Sequence, residues 1–181
     1  MSNRERVIVF IDGNNCYHNL KRMFKNRRLM DFNFDRLTRE LTGKRKLERI
    51  YYYTAPFDRT KDKKTYMKQQ KFFDKLRKIP NLKLVLCRMI KVKIDGKIIY
   101  QVKEDDIRLA VDMVEGAADD VYDTAILIST DGDFVPVIQA VNKKGKGVEN
   151  VGFEKQFSYH LKQECDKFIR LNKEFLERCF D

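Results

Sequence analysis

Three acidic residues of this chain stand where carboxylates can do chemistry. Asp131 and Asp133 lie one residue apart in Ile126-Leu-Ile-Ser-Thr-Asp-Gly-Asp-Phe-Val-Pro-Val-Ile138. The apolar run from Ala125 to Ile128 reads as a buried strand. Gly132 permits a tight turn, and Phe134, Val137, Ile138 and Val141 then recur at helical spacing, with Pro136 suited to the first helical turn. Asp12 repeats the arrangement: Val7-Ile-Val-Phe-Ile11 is a second buried-strand run, followed by Asp12-Gly13-Asn14-Asn15 and a helix carrying Tyr17, Leu20 and Phe24. If the two strands are parallel neighbours, Asp12, Asp131 and Asp133 converge at the carboxyl end of a sheet, where open α/β folds bind ligands. Three carboxylates in so small a volume cannot all ionise without a cation. Oxygen-only ligands suit the hard ions Mg²⁺ or Mn²⁺, which commonly work beside phosphates.

Further acids sit on the segment before the second strand. Asp112 interrupts the apolar run Leu109-Ala-Val-Asp-Met-Val114, so it either seeks a partner or metal or turns toward water. Asp106 reaches the same site as Asp112 only if it lies at or before the start of that helix; otherwise it is an N-cap. Glu104 and Asp105 read as acids enriching the first turn, and Asp119, Asp120 and Asp123 as solvated loop residues. Asn15 is placed to hold Asp12 or a water, or else to cap the helix. Ser129 and Thr130 offer hydroxyls to a phosphate or to loop backbone. His18 and His160 are the only histidines, and no Ser-His-acid triad is evident. The phosphate loops Gly-x-x-x-x-Gly-Lys-Ser/Thr and Gly-x-Gly-x-x-Gly are both missing from the sequence, and Asn14 occupies the place of the second acid of a dehalogenase-type phosphatase.

The elements that must position these residues alternate. Strand runs at Val7–Ile11, Leu47–Tyr53, Leu82–Ile90, Ala125–Ile128 and Val148–Phe153 are separated by helical patterns at 16–25, 34–41, 61–79, 106–118 and 134–142. Helical segments at 157–165 and 173–180 follow, with Phe168-Ile-Arg-Leu171 extended between them. This pattern predicts a single α/β domain with a mainly parallel five-stranded sheet. Residues 91–101 alternate around Asp95-Gly96, a hairpin signal, so a small β-hairpin insertion is expected. At 181 residues and 43% apolar content the chain can bury a real core. It has no apolar run long enough for a membrane helix. The first six residues lead straight into a strand, without a leader-like pattern. The four cysteines lack Cys-x-x-Cys spacing and read as reduced thiols, and a cytoplasmic setting is expected.

Charge points to a polyanion. The net is +11, yet residues 103–133 hold ten acids and two bases, leaving an excess of 19 positive charges on the rest. A basic body around an acidic centre suits a nucleic acid held by its backbone. Lys21, Arg22, Lys25, Arg27 and Arg28 lie in a segment without acids, and Lys64 and Lys68 belong to a second basic stretch, 59–78. Solubility alone is the competing reason for such a surface.

Together these residues resemble the NYN domain, a branch of the PIN-like nucleases, and in particular its LabA-like bacterial members. Phe10-Ile-Asp-Gly-Asn-Asn15 is similar to the family's opening element, Leu109-Ala-Val-Asp-Met113 to its central helix, and Tyr122-Asp-Thr-Ala-Ile-Leu-Ile-Ser-Thr-Asp-Gly-Asp-Phe-Val-Pro136 to its signature. The likeness spans roughly residues 6 to 171. It implies a PIN-like, Rossmann-like three-layer fold and cleavage of RNA with Mg²⁺ or Mn²⁺. Its acids fall on Asp12, Asp106, Asp112, Asp131 and Asp133, with Asn15 beside the first. Thr130 replaces a common glycine of the signature, and Glu104-Asp-Asp106 stands where Gly-Val-Asp is common, so the resemblance leaves Asp105 as the alternative to Asp106 at that place. A non-catalytic RNA-binding module is the alternative, and either reading allows a homodimer.

Overall fold

The computed structural model describes residues 4–60, 62–94 and 97–181, and the side chains of these outside 94–102. In chain order the elements are β1 (Arg6–Asp12), α1 (Gly13–Met23), α2 (Phe34–Thr42), β2 (Lys46–Thr54), α3 (Lys63–Arg77), β3 (Leu82–Leu86), β4 (Arg88–Ile94) and β5 (Lys97–Lys103). They continue with α4 (Asp105–Ala118), β6 (Thr124–Ile128), α5 (Val135–Asn142), β7 (Gly147–Phe153), α6 (Tyr159–Glu164), β8 (Lys167–Leu171) and α7 (Lys173–Glu177). Short 3-10 turns occupy Leu29–Asp31 and Gly132–Phe134. Lys61 and the expected Asp95-Gly96 turn lie outside the described residues. The strands flanking that turn, β4 and β5, pair antiparallel with Arg88 opposite Lys103.

The main sheet has the order β3-β2-β1-β6-β7-β8, with every pairing parallel. It therefore has six strands rather than the expected five. The addition is β8, of which Phe168 to Leu171 were expected to be extended and which becomes a sheet strand by pairing with β7, Phe168 opposite Asn150. β3 stops at Leu86, earlier than the single strand expected through Ile90, because the chain leaves the sheet at Cys87 to enter the hairpin.

Strand alternation splits the core into two layers. Val7, Val9 and Ile11 face one way and pack with Cys16 and Leu20 of α1, Phe34 and Leu37 of α2, Phe73 and Leu76 of α3, and Leu176 of α7. Ile8 and Phe10 face the other way, with Leu109 and Met113 of α4, Ile138 and Val141 of α5, and Leu161 of α6. This gives a three-layer α/β/α fold. The cysteines are all free. Among the described residues no helix is long and apolar enough to cross a membrane.

The amino edge of the sheet is closed by ion pairs. Arg6, the first residue of β1, places Nη2 2.8 Å from Oδ1 of both Asp120 and Asp123, and its backbone N–H donates to Asp123 at 2.7 Å. Lys146 also pairs with Asp120. Asp120 stays exposed, as expected of a loop acid, yet it and the half-exposed Asp123 tie the turn before β6 to β1. Lys146 and Arg6 hold the Asp120 carboxyl below its ordinary range, and hydrogen bonds from Arg6 do the same for Asp123.

Candidate metal centre

At the carboxyl edge β1 and β6 are direct neighbours, with Ile11 opposite Ile128, so the residues following them meet. Asp12 ends β1 and caps α1, its Oδ1 accepting the Asn15 N–H at 3.0 Å. Its Oδ2 accepts the Ser129 hydroxyl at 2.9 Å, and Ser129 Oγ in turn accepts the Asp131 N–H at 3.1 Å. Gly13 must be glycine here, because a Cβ would collide with the Tyr52 ring and the Tyr53 carbonyl of β2. That close approach sets where Asp12 leaves the strand.

Asn15 joins the two edges. Its Nδ2 donates to Thr130 Oγ1 at 3.0 Å, and its Oδ1 accepts the Thr130 N–H at 3.2 Å. Asn19, buried on the next turn of α1, donates to Asn15 Oδ1 at 3.0 Å and fixes its orientation. Thr130, which replaces a glycine common in the signature, has its hydroxyl committed to Asn15. Below the loop, Asn150 of β7 donates to the carbonyls of Leu127 and Ser129 at 3.2 and 3.0 Å. Asp131 starts the 3-10 turn by accepting the Asp133 N–H at 3.0 Å.

The third contribution comes from α4. Carboxylate oxygens of Asp12, Asp105 and Asp106 lie within 4.8 Å of one another. Asp105 is buried like Asp12, whereas Asp106 is exposed at the mouth. Both stand in the first turn of α4, where the helix dipole favours anions. The cleft above them is about 340 Å³ and is also lined by Asn14, Asn15, His18, Arg22, Thr130, Asp131 and Gln156. Burial raises the Asp12 carboxyl to about 7, with Asp106 and Asp105 pushing the same way against the Asn15 and Ser129 hydrogen bonds. Burial, then Asp105, Asp131 and Asp133, raise Asp106 to about 6. Among the described residues none of these carboxylates has an ion pair in the structure, so the cluster gathers negative charge without a fixed cation.

The sequence-derived residues thus divide. Asp12, Asn15, Ser129, Thr130, Asp131 and Asp106 come together, and Asp133 is near enough to act on Asp106. Asp112 does not join them. It accepts the Tyr53 hydroxyl at 2.7 Å and lines a separate groove with Lys83, Leu86, Ile107 and Val111. Asp105 and Asp112 stand seven residues apart on nearly the same face of α4 but about 10 Å apart along its axis, so Asp105 reaches the cluster and Asp112 does not. Of the basic residues, Arg22 lines the cleft, Lys21 lies 5.8 Å from the Tyr17 ring centroid, and Arg27 lies 5.0 Å from that of Phe180. Arg28 pairs with Asp31 at 3.0 Å; Lys25, and Lys64 and Lys68 of α3, are exposed. Asp105, which the sequence offered as the alternative to Asp106, joins the cluster together with it. His18, Asn19, Asn150 and Gln156 carried no sequence signal as site residues.

A parallel sheet whose carboxyl edge gathers acids from two strand ends and a helix start defines an α/β protein of the PIN-like class. The chain belongs to the NYN domain family, whose model matches residues 6–172. It is 26% identical over 179 residues to the low amplitude and bright protein LabA of Synechococcus elongatus, covering 96% of this chain and 88% of that protein. A 70-residue stretch, 39% of this chain but 29% of the relative, is 34% identical to the uncharacterized protein MJ0482 of Methanocaldococcus jannaschii. The crystal structure of VPA0982, a Vibrio parahaemolyticus protein of unknown function, superposes with a TM-score of 0.75, covering 97% of this chain and 98% of that one at 22% identity.

Proposed function

We propose that this protein is a ribonuclease that cleaves RNA phosphodiester bonds with Mg²⁺ or Mn²⁺ held by its acidic cluster. The observation that carries the reading is the convergence of Asp12, Asp105 and Asp106 oxygens within 4.8 Å at the carboxyl edge of a chain with net charge +11. The donor set fits the ion: every side chain is a carboxylate, two are buried, and ionising them together requires a cation. When bound, the ion supplies a Lewis acid for the phosphodiester.

The chain's own residues do the rest. Asp12 and Asp105 are fixed by the strand end and the helix start, so their oxygens are preorganised. Ser129 holds Asp12 Oδ2 and, through the Asp131 N–H, sets the loop that carries Asp131. Asp131 lines the cleft and is placed to orient a water and take its proton. Asn15 locks that loop to α1 through Thr130. Arg22 at the cleft, with Lys21 on the next stripe of α1, binds the flanking phosphates, so contacts are mainly to backbone and sequence preference is small.

One observation favours a second reading, a non-catalytic RNA-binding module: Asp112, one of the acids the family pattern implies, is held by Tyr53 outside the centre. Labelled single-stranded RNA separates the two. The nuclease cleaves it with Mn²⁺, stops in EDTA and is silenced by Asp12→Asn. A gel shift without cleavage in any metal supports the module, and cleavage that survives both EDTA and the substitution contradicts the proposed mechanism.

A further inference from the structure

We infer that the acid cleft is flanked by two stacking platforms, Tyr17 and Tyr159, which select a single strand with unpaired bases over a duplex. The inference rests on the reading of the cleft as a nucleic-acid site and adds to it the residues that hold the bases. Large aromatic rings are ordinarily buried, with a polar tip at the surface. Here Tyr52, Tyr53 and Tyr122 follow that rule, whereas Tyr17 is 39% and Tyr159 62% exposed, the exposed tyrosines among the described residues.

Tyr17 stands on α1, which lines the cleft, and Tyr159 opens α6 three residues after Gln156, which also lines it. On α1, Asn14, His18 and Arg22 recur at the four-residue spacing of one helix face and line the cleft. Tyr17 occupies the adjacent stripe, with its ring edge-on to His18 at 5.5 Å and Lys21 Nζ 5.8 Å from its centroid. Gln156 also lines the cleft, and the next residue is anchored. The Phe157 ring lies 5.4 Å from Phe168, with the Arg170 guanidinium 4.7 Å from its centroid. Gly152 permits this, since a Cβ there would strike Phe157 and Phe168. Ser158 then caps α6, accepting the Leu161 N–H at 3.3 Å, and lies against Gly132 of the Asp131 loop. The chain around Tyr159 is thus fixed from both sides, although its own ring is left in solvent.

Exposed aromatic faces with cations nearby, beside a groove that takes phosphates, are what sequence-tolerant single-strand binding uses: bases stack and the charges hold the backbone. In a duplex the faces of the bases are occupied by their neighbours, so only a strand with splayed bases can engage both tyrosines. Lys21 beside Tyr17, and the exposed Lys162 of α6, whose Nζ lies 5.7 Å from the Phe168 centroid and 6.0 Å from that of Phe157, are the cations on the same two helices that can meet the strand's phosphates.

The test is fluorescence anisotropy of the full chain in EDTA, so that the probe stays intact. Three probes of equal length are used: a labelled single-stranded RNA, the same RNA annealed to its complement, and a strand with abasic sites. The single strand binds more tightly than the duplex. Tyr159→Ala and Tyr17→Ala each weaken single-strand binding about tenfold, Tyr→Phe restores it, and the abasic strand binds the wild type and both alanine variants alike. Equal affinity for duplex and single strand, or alanine variants that bind as the wild type does, overturns the inference. Binding is read without cleavage, so a protein that stacks RNA yet never cuts it refutes the ribonuclease and spares this inference. One that cuts with no tyrosine dependence does the reverse.

Discussion

The two ends of the same parallel strands treat aspartate in opposite ways. At the amino edge, Asp120 and Asp123 meet Arg6 and Lys146, and their carboxyls fall below the ordinary range. At the carboxyl edge, Asp12, Asp105 and Asp106 meet one another, and Asp12 and Asp106 rise to about 7 and about 6. The first group is complete as folded. The second has no ion-paired cation among the described residues, and under the proposed function a bound ion supplies the counter-charge. The difference shows that the number of acids in a loop says little about its role until the fixed cations around it are known.

The sharpest way to break the comparison is to neutralise one acid at each edge. Asp12→Asn or Asp105→Asn lowers Mn²⁺-dependent RNA cleavage by roughly 10²–10³-fold, the scale of losing a main electrostatic group at a reacting centre. Asp123→Asn leaves cleavage within about twofold of wild type, since it removes a tie remote from the charge developing in the reaction, but lowers Tm. Initial rates and thermal melts on the same preparations decide it. Equal losses at both edges would erase the distinction.

Metal and pH sharpen it next. In the metal-free protein the folded state keeps the Asp12 proton up to about pH 7, while the unfolded chain releases it near about 4. The stability from this proton is full below that lower value and is lost as pH rises through the upper one. Asp106 adds the same sign up to about 6. The amino-edge acids have the opposite sign: their contribution is present above the ordinary carboxylate range and is lost as pH falls through their depressed values. At one fixed concentration Mn²⁺ therefore raises Tm more at pH 7.5 than at pH 5; a hundred times the pH 7.5 Kd stabilises by about 2.7 kcal/mol there. Asp105→Asn removes most of that shift. A metal-induced shift that is independent of pH or of Asp105 contradicts the assignment.

Smaller effects lie around the cluster. Asn15→Ala unlocks Thr130 from α1 and lowers cleavage about tenfold through mispositioning, with RNA binding little changed. Asp112→Asn changes cleavage by less than about threefold, because its carboxylate is spent on Tyr53. Tyr53→Phe costs stability on the order of 1 kcal/mol, the worth of that hydrogen bond. If Asp112→Asn matches Asp12→Asn in rate loss, Asp112 must move into the centre when substrate binds.

Much of this frame was legible in the sequence. The runs Val7–Ile11 and Ala125–Ile128 are apolar at every position, which marks strands buried on both faces, and the structure pairs them directly. That adjacency is what brings Asp12 to Ser129 and Asp131. β8 was legible only as extended chain, because Lys167–Leu171 alternates weakly and becomes a strand by pairing with β7. On α4 the sequence pattern gives the face but not the height. Asp105 and Asp112 are seven residues apart, so they share a face yet lie about 10 Å apart along the axis. Only the packing of α4 on the sheet shows that its first turn meets Asp12 while Asp112 meets Tyr53. The amino-edge pairs were illegible for a different reason: Arg6 and Asp123 lie 117 residues apart, and nothing local announces a partner.

The central claim is that the carboxyl-edge acids capture a divalent cation that the amino-edge acids do not need. Anomalous diffraction at the manganese edge from crystals soaked in Mn²⁺ tests it most directly. The account predicts a peak bounded by oxygens of Asp12, Asp105 and Asp106. A cluster without a peak at saturating Mn²⁺, or a peak at Asp112 or at Asp120 and Asp123 instead, contradicts it.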